Sequence, residues 1–103
     1  MSMTYEVPLS RGSQSFTLEL EKTYQFVIVW REGVEGGGWF LDVSDDAGSP
    51  LVLGLPLVVG TNLLDQFSYL ELGELWVELD GREDRALVYD DVGTTARLYW
   101  RAP

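Results

Sequence analysis

The side chains with most scope for chemistry in this sequence are carboxylates. There are 17 Asp and Glu against 7 Lys and Arg, with no His and no Cys. Lacking imidazole and thiol, the chain has no common general base, no thiolate nucleophile, no disulfide and almost no route to a zinc, copper or haem centre. A Ser or Thr nucleophile would need Lys22, the only lysine, or the chain's own amine as its base, and no Ser-x-x-Lys arrangement surrounds Lys22. The acidic pairs Asp45-Asp46 and Asp90-Asp91 lack the Asp-x-Asp-x-Asp-Gly spacing that converges oxygens on calcium. They read as turn residues facing water. A glycosidase-type pair of acid and base could be assembled only from carboxylates remote in sequence, and nothing singles one out. Gly36-Gly37-Gly38 precedes a strand and no lysine follows it, so it reads as a loop rather than a phosphate cradle. The sequence therefore predicts no catalytic, cofactor-binding or metal-ligating residue.

Binding is better served. Aromatic rings on a β face stack on sugars and dominate protein interfaces, and the chain has four tryptophans. Alternation groups Trp30 with Phe26 and Ile28, and Trp100 with Leu98 and Ala96, which predicts core positions for both. Trp39, next to the glycine run and followed by Phe40, and Trp76, between Leu75 and Val77, are expected at the surface. Arg97 and Arg101 share a face of the last strand with Tyr99 between them. Such a row either pairs with an acidic partner edge or neutralises Asp and Glu across the sheet, and the second reading weighs more. The candidate partner interface is Trp39, Phe40, Trp76, Arg97, Tyr99 and Arg101.

The elements that must position these residues have the periodicity of strands. Phe16, Leu18 and Leu20 alternate with polar residues, the mark of a half-buried strand. Residues 23–32 place Tyr24, Phe26, Ile28 and Trp30 on one face and Val27 and Val29 on the other, a central strand joined to the first by a tight hairpin. After a flexible glycine loop at residues 33–38, Trp39, Leu41 and Val43 alternate with Phe40, Asp42 and Ser44. Gly54 and Pro56 interrupt the apolar run 51–57, which predicts a bent or edge strand. Leu63, Leu64, Phe67 and Leu70 predict one or two helical turns near Asn62-Leu70, with Thr61 or Asn62 as N-cap. Residues 75–79 form another strand before the Asp80-Gly81 turn, residues 82–85 a charged loop, residues 86–89 a short strand, and residues 94–101 the last strand. The fold class is all-β: a small antiparallel barrel or barrel-like sandwich.

The totals set the frame. At 103 residues and 46% hydrophobic, the chain predicts a single β domain over residues 1–103, large enough for one core. Its net charge of -10 argues against direct nucleic-acid binding and against a membrane surface. Neither a signal peptide nor a bilayer-spanning run is read from the sequence, so the expectation is a soluble protein made in a cytoplasm.

The order and spacing of several segments sharpen this. Val7-Pro8-Leu9-Ser10, Ser15-Phe16-Thr17-Leu18-Glu19-Leu20, Tyr24-Gln25-Phe26-Val27-Ile28-Val29-Trp30, Trp39-Phe40-Leu41-Asp42-Val43, Pro50-Leu51-Val52-Leu53-Gly54, Thr61-Asn62-Leu63-Leu64, Leu72-Gly73-Glu74-Leu75 and the closing Ala96-Leu98-Tyr99-Trp100 resemble the cyanophage baseplate plug family of contractile-tailed bacteriophages. The resemblance runs over nearly the whole chain. It implies a non-enzymatic structural subunit at the tail baseplate hub that helps close the central channel before ejection. It further implies synthesis in a host bacterial cytoplasm, assembly into a virion tail or prophage-derived tail-like particle, and other tail or baseplate hub proteins as partners, with a homo-oligomer as one arrangement. No cofactor is implied. Two readings from other classes stand beside it: a carbohydrate- or peptide-binding module using exposed Trp39 and Trp76, and an acidic DNA-mimic or inhibitor protein.

Overall fold

The computed structural model describes residues 4–33 and 37–103. Among the described residues, seven strands form two antiparallel sheets. β1 (Thr4–Val7), β6 (Glu74–Leu79) and β7 (Ala96–Arg101) make a three-stranded sheet in the order β1-β7-β6. β2 (Gln14–Leu20), β3 (Lys22–Arg31), β4 (Gly38–Asp45) and β5 (Pro50–Pro56) follow one another in a four-stranded meander. The two sheets do not close on one another, so of the two expected architectures the chain adopts the barrel-like sandwich.

Alternation decides which residues meet between the sheets. Leu75, Val77 and Leu79 of β6 and Ala96, Leu98 and Trp100 of β7 are buried on one side; Phe26 and Ile28 of β3 and Trp39, Leu41 and Val43 of β4 are buried on the other. Burying side chains of this size contributes about 1.5–3 kcal/mol each before the entropy of ordering them is counted.

The irregular segments close the ends of this core. Leu63 and Leu64 are buried just ahead of a 3₁₀ turn at Asp65–Leu70, within the segment where a helical turn was expected, but the N-cap is Leu64, without a side-chain cap, and not Thr61 or Asn62. Asn62 acts there as a brace: its Oδ1 accepts the N–H groups of Leu64 and Leu75, both at 3.1 Å, tying the segment to β6. The Leu63 N–H also donates to the Leu75 carbonyl. β5 is the expected bent edge strand. Opposite Asp42 it accommodates both Leu53 and Gly54, with Gly54 at φ +65, and the Asp42 carboxylate accepts the Gly54 N–H at 2.6 Å. This is a β-bulge held by a side chain.

Three local expectations are corrected. Residues 86–89 form no strand: only Leu87 of these is buried, and Tyr89–Asp91 make a 3₁₀ turn. Thr4–Val7 form an additional strand, because pairing with β7 supplies the backbone hydrogen bonds although only Val7 is buried. Gly38 belongs to β4, paired with Arg31, instead of to the loop. The expected flexible loop otherwise falls partly on residues 34–36, outside the described residues.

Candidate functional site

The outer face of the three-stranded sheet gathers four of the six residues expected at an interface. Because Leu75, Val77, Leu98 and Trp100 point inward, Trp76, Arg97, Tyr99 and Arg101 must point outward. Register then makes them neighbours. Trp76 pairs with Tyr99, Glu74 with Arg101 and Glu78 with Arg97, while Glu6 of β1 stands opposite Tyr99 on the other side. The Trp76 and Tyr99 rings stack with centroids 5.7 Å apart, and the Arg101 guanidinium lies 5.1 Å from the centre of the Trp76 ring. Arg101 also reaches Glu74 at 3.0 Å, and the indole N–H of Trp76 donates to Glu78 at 3.4 Å.

Arg97 holds the other end. Its guanidinium donates two hydrogen bonds to Asp80, both at 3.2 Å, and approaches Glu6 at 3.8 Å. Hydrogen bonding from Arg97 keeps the Asp80 carboxyl below its ordinary range, and the same contact holds the guanidinium proton more firmly. The Tyr99 hydroxyl is pushed up, first by partial burial and then by the nearby Glu6 and Glu78 carboxylates. The arginine row thus neutralises acids across its own sheet, as the sequence suggested. Beside the row an open groove of about 310 Å³ is lined by Gly60, Thr61, Asn62, Glu74, Trp76 and Arg101.

The other two expected interface residues lie elsewhere. Trp39 is only 2% exposed, which corrects the expectation of a surface tryptophan. It shares the inward face of β4 with Leu41 and Val43, its indole N–H donates to the Val88 carbonyl at 3.1 Å, and Tyr89 stacks on it with centroids 5.5 Å apart. Trp30, expected in the core, is half-buried at the margin, edge-on to both Trp39 and Tyr89. Phe40 points outward on the four-stranded sheet, away from Trp39, with the Arg31 guanidinium 5.3 Å from its ring centre.

The family model described as cyanophage baseplate Pam3 plug gp18 matches residues 4–103. The chain belongs to this baseplate plug family. No curated protein and no solved structure matches it.

Sequence reasoning passed over one polar centre in this plug-family chain. Asp91, expected to face water with Asp90, is 3% exposed. Its carboxylate accepts two hydrogen bonds from Arg85, at 2.8 and 2.9 Å, one from the Val88 N–H at 2.7 Å and one from the Thr95 hydroxyl at 2.5 Å. Its carbonyl receives the N–H groups of Thr94 and Thr95. Arg85 above all, then Thr95 and Val88, hold the Asp91 carboxyl well below the usual carboxylate range, and the pairing raises Arg85 in turn. The available signal was the spacing Arg85, Asp91, Thr95, which lets one carboxylate staple a loop on both sides. Asp45 does a smaller version of this work, its carboxylate accepting the Ala47 and Ser49 N–H groups within its own turn.

Proposed function

We propose that this plug-family chain is a structural subunit at the hub of a contractile tail baseplate, that residues 1–103 act there as one β domain, and that it helps to close the central channel before ejection. The observation that carries the reading is the family match over residues 4–103, together with an outer sheet face on which Trp76, Arg97, Tyr99 and Arg101 meet. That face is the docking surface for a neighbouring baseplate protein. Trp76 supplies the apolar anchor, and Arg101 and Arg97 can exchange their present carboxylates for those of a partner, which favours one orientation of approach.

The burial of Trp39 removes one of the two rings on which a sugar- or peptide-binding platform would rest. A DNA mimic would need rows of unpaired carboxylates, whereas Glu6, Glu74 and Asp80 on this face approach arginines.

The test is assembly. Trp76→Ala and Arg101→Glu are expected to lower incorporation into purified tails about tenfold or more, with the isolated variants still folded by circular dichroism. Trp76→Phe should retain most of it. Tails that lack the chain should lose their DNA early if it closes the channel. Undiminished incorporation of Trp76→Ala would remove this face as the docking surface, and tails that hold their DNA without the chain would remove the plugging role.

A further inference from the structure

The edge of a sheet offers unpaired backbone N–H and C=O groups to any strand that can line up with it, and proteins blunt such edges with prolines, bulges, covering segments or short length. Three of the four edges in this fold are blunted. β5 begins at Pro50, ends at Pro56 and carries the bulge at Gly54. β6 is covered by the segment that follows β5: Val59 bridges to Val77, the Gly60 N–H donates to the Val77 carbonyl at 3.1 Å, and the Leu63 N–H donates to the Leu75 carbonyl at 2.7 Å. β1 is only four residues long.

β2 has none of these devices. It pairs with β3 over seven residues without a register shift, contains neither proline nor glycine, and among the described residues nothing pairs with its other edge. Both of its faces suit a neighbouring strand. Phe16 and Leu18 share the inward face with buried Leu20 but are themselves only partly buried. Ser15, Thr17 and Glu19 are exposed on the outward face. The charge around this edge is balanced although the chain carries -10: residues 7–24 hold the acids Glu19 and Glu21 and the bases Arg11 and Lys22.

We infer that the β2 edge pairs with the β2 edge of a second copy, antiparallel about a two-fold axis at Thr17, so that the two four-stranded sheets become one continuous sheet. Charge and register select this occupant. The local balance lets a chain of the same overall charge approach here at little electrostatic cost. Directly opposite residues of an antiparallel pair point to the same face, so two copies of β2 can align only where inward residues meet inward ones. Of those alignments, the one centred on Thr17 overlaps the whole strand. It sets Phe16 of each copy against Leu18 of the other, Ser15 against Glu19, and Thr17 against itself. Apolar side chains then meet apolar ones, hydroxyls meet at the axis, and no carboxylate stands opposite another. Any other strand would need this same alternation, which β2 itself supplies. One isologous contact removes both free edges. It uses the sheet that does not carry Trp76, so it neither needs nor excludes docking there.

Sedimentation equilibrium on the isolated chain, from about 5 μM to about 1 mM, reads the association. A dimer with a dissociation constant of about 100 μM is expected, since a single ladder is a small contact. On raising the concentration through that value, hydrogen exchange should slow at alternate β2 amides, those that face the free edge. Position 17 meets only itself in this register, which sharpens the test. Thr17→Lys and Thr17→Glu each change an exposed side chain and should keep the native near-ultraviolet circular dichroism. Each alone should weaken its dimer about fivefold by setting like charges face to face, and the two mixed one to one should associate at least as tightly as the wild type. A chain that stays monomeric to about 1 mM would overturn the inference, including the case where only a strand of another baseplate protein binds β2. So would a dimer that leaves β2 exchange unchanged, one that either single variant fails to weaken, or a mixture that does not recover.

Discussion

Asp91 shows how a single carboxylate can fix a loop that has no regular structure. Four donors converge on it from Arg85, Val88 and Thr95, while its carbonyl fastens Thr94 and Thr95, so residues 85–95 are braced around one buried side chain. Asp91→Asn keeps the volume but loses the charge and leaves a donor facing donors, and is expected to cost on the order of 2 kcal/mol in urea unfolding near neutral pH. The sign of the acid dependence follows from the depressed carboxyl. Its contribution is complete above the unfolded value of about 3.9 and is lost as pH falls below that, down through the native value. Stability measured from about pH 6 to about pH 2.5 should therefore fall less steeply in Asp91→Asn than in the wild type. Parallel curves would show that Asp91 adds nothing through its charge. Trp39 teaches the complementary point. Alternation with Leu41 and Val43 already placed it inward, but its position next to three glycines suggested exposure; the cover comes from Tyr89, fifty residues on, which local pattern does not reveal.

At the scale of elements, what the sequence made legible was whatever one face had to bury. β2, β3, β4, β6 and β7 follow from alternation alone, since shifting any of them by one residue would expose its apolar set. β1 escaped notice because it has one buried residue and is held by its ladder to β7. Residues 86–89 misled because an apolar run resembles a strand even where the backbone turns. The outward residues Trp76, Arg97, Tyr99 and Arg101 were legible as a group only because Arg97, Tyr99 and Arg101 share one strand; that Trp76 stacks on Tyr99 is a fact of register. The β5 bulge gives an element-scale prediction. The Asp42 carboxylate accepts the Gly54 N–H, so Asp42→Ala should deprive that donor of its partner at a cost of about 1–2 kcal/mol. Amide exchange should then quicken along β5 while β3 stays protected. Asp42→Asn keeps an acceptor at the same place and should recover most of the loss; uniform quickening across both sheets would mean the bulge is no separate unit.

For the whole molecule, the dominant quantity is the net charge of -10 on a body measuring 33 × 29 × 24 Å. Charges at that density repel one another over distances comparable with the Debye length, about 10 Å at 0.1 M salt, so the folded state carries a self-repulsion that salt can relieve. Such a charge keeps a chain soluble, and it can also act on something outside the chain. In the proposed channel that something would be packaged DNA: a wall of carboxylates would bring no Lys or Arg to displace the counterions of the phosphates, so the genome would not adhere. Asp46, Asp65 and Asp84 are exposed and lie outside both sheets, so reversing all three to Lys moves the net charge from -10 to about -4 without touching the core or the Trp76 face. Two outcomes are expected. The isolated variant should melt higher than the wild type at low salt, with the gap closing as salt is raised. Tails that carry it should assemble normally yet release DNA more slowly, or retain DNA on the baseplate after ejection. If assembly and release are both unchanged while the low-salt stability gain is present, the charge is real in its effect on folding, but the acidic surface does not face the DNA.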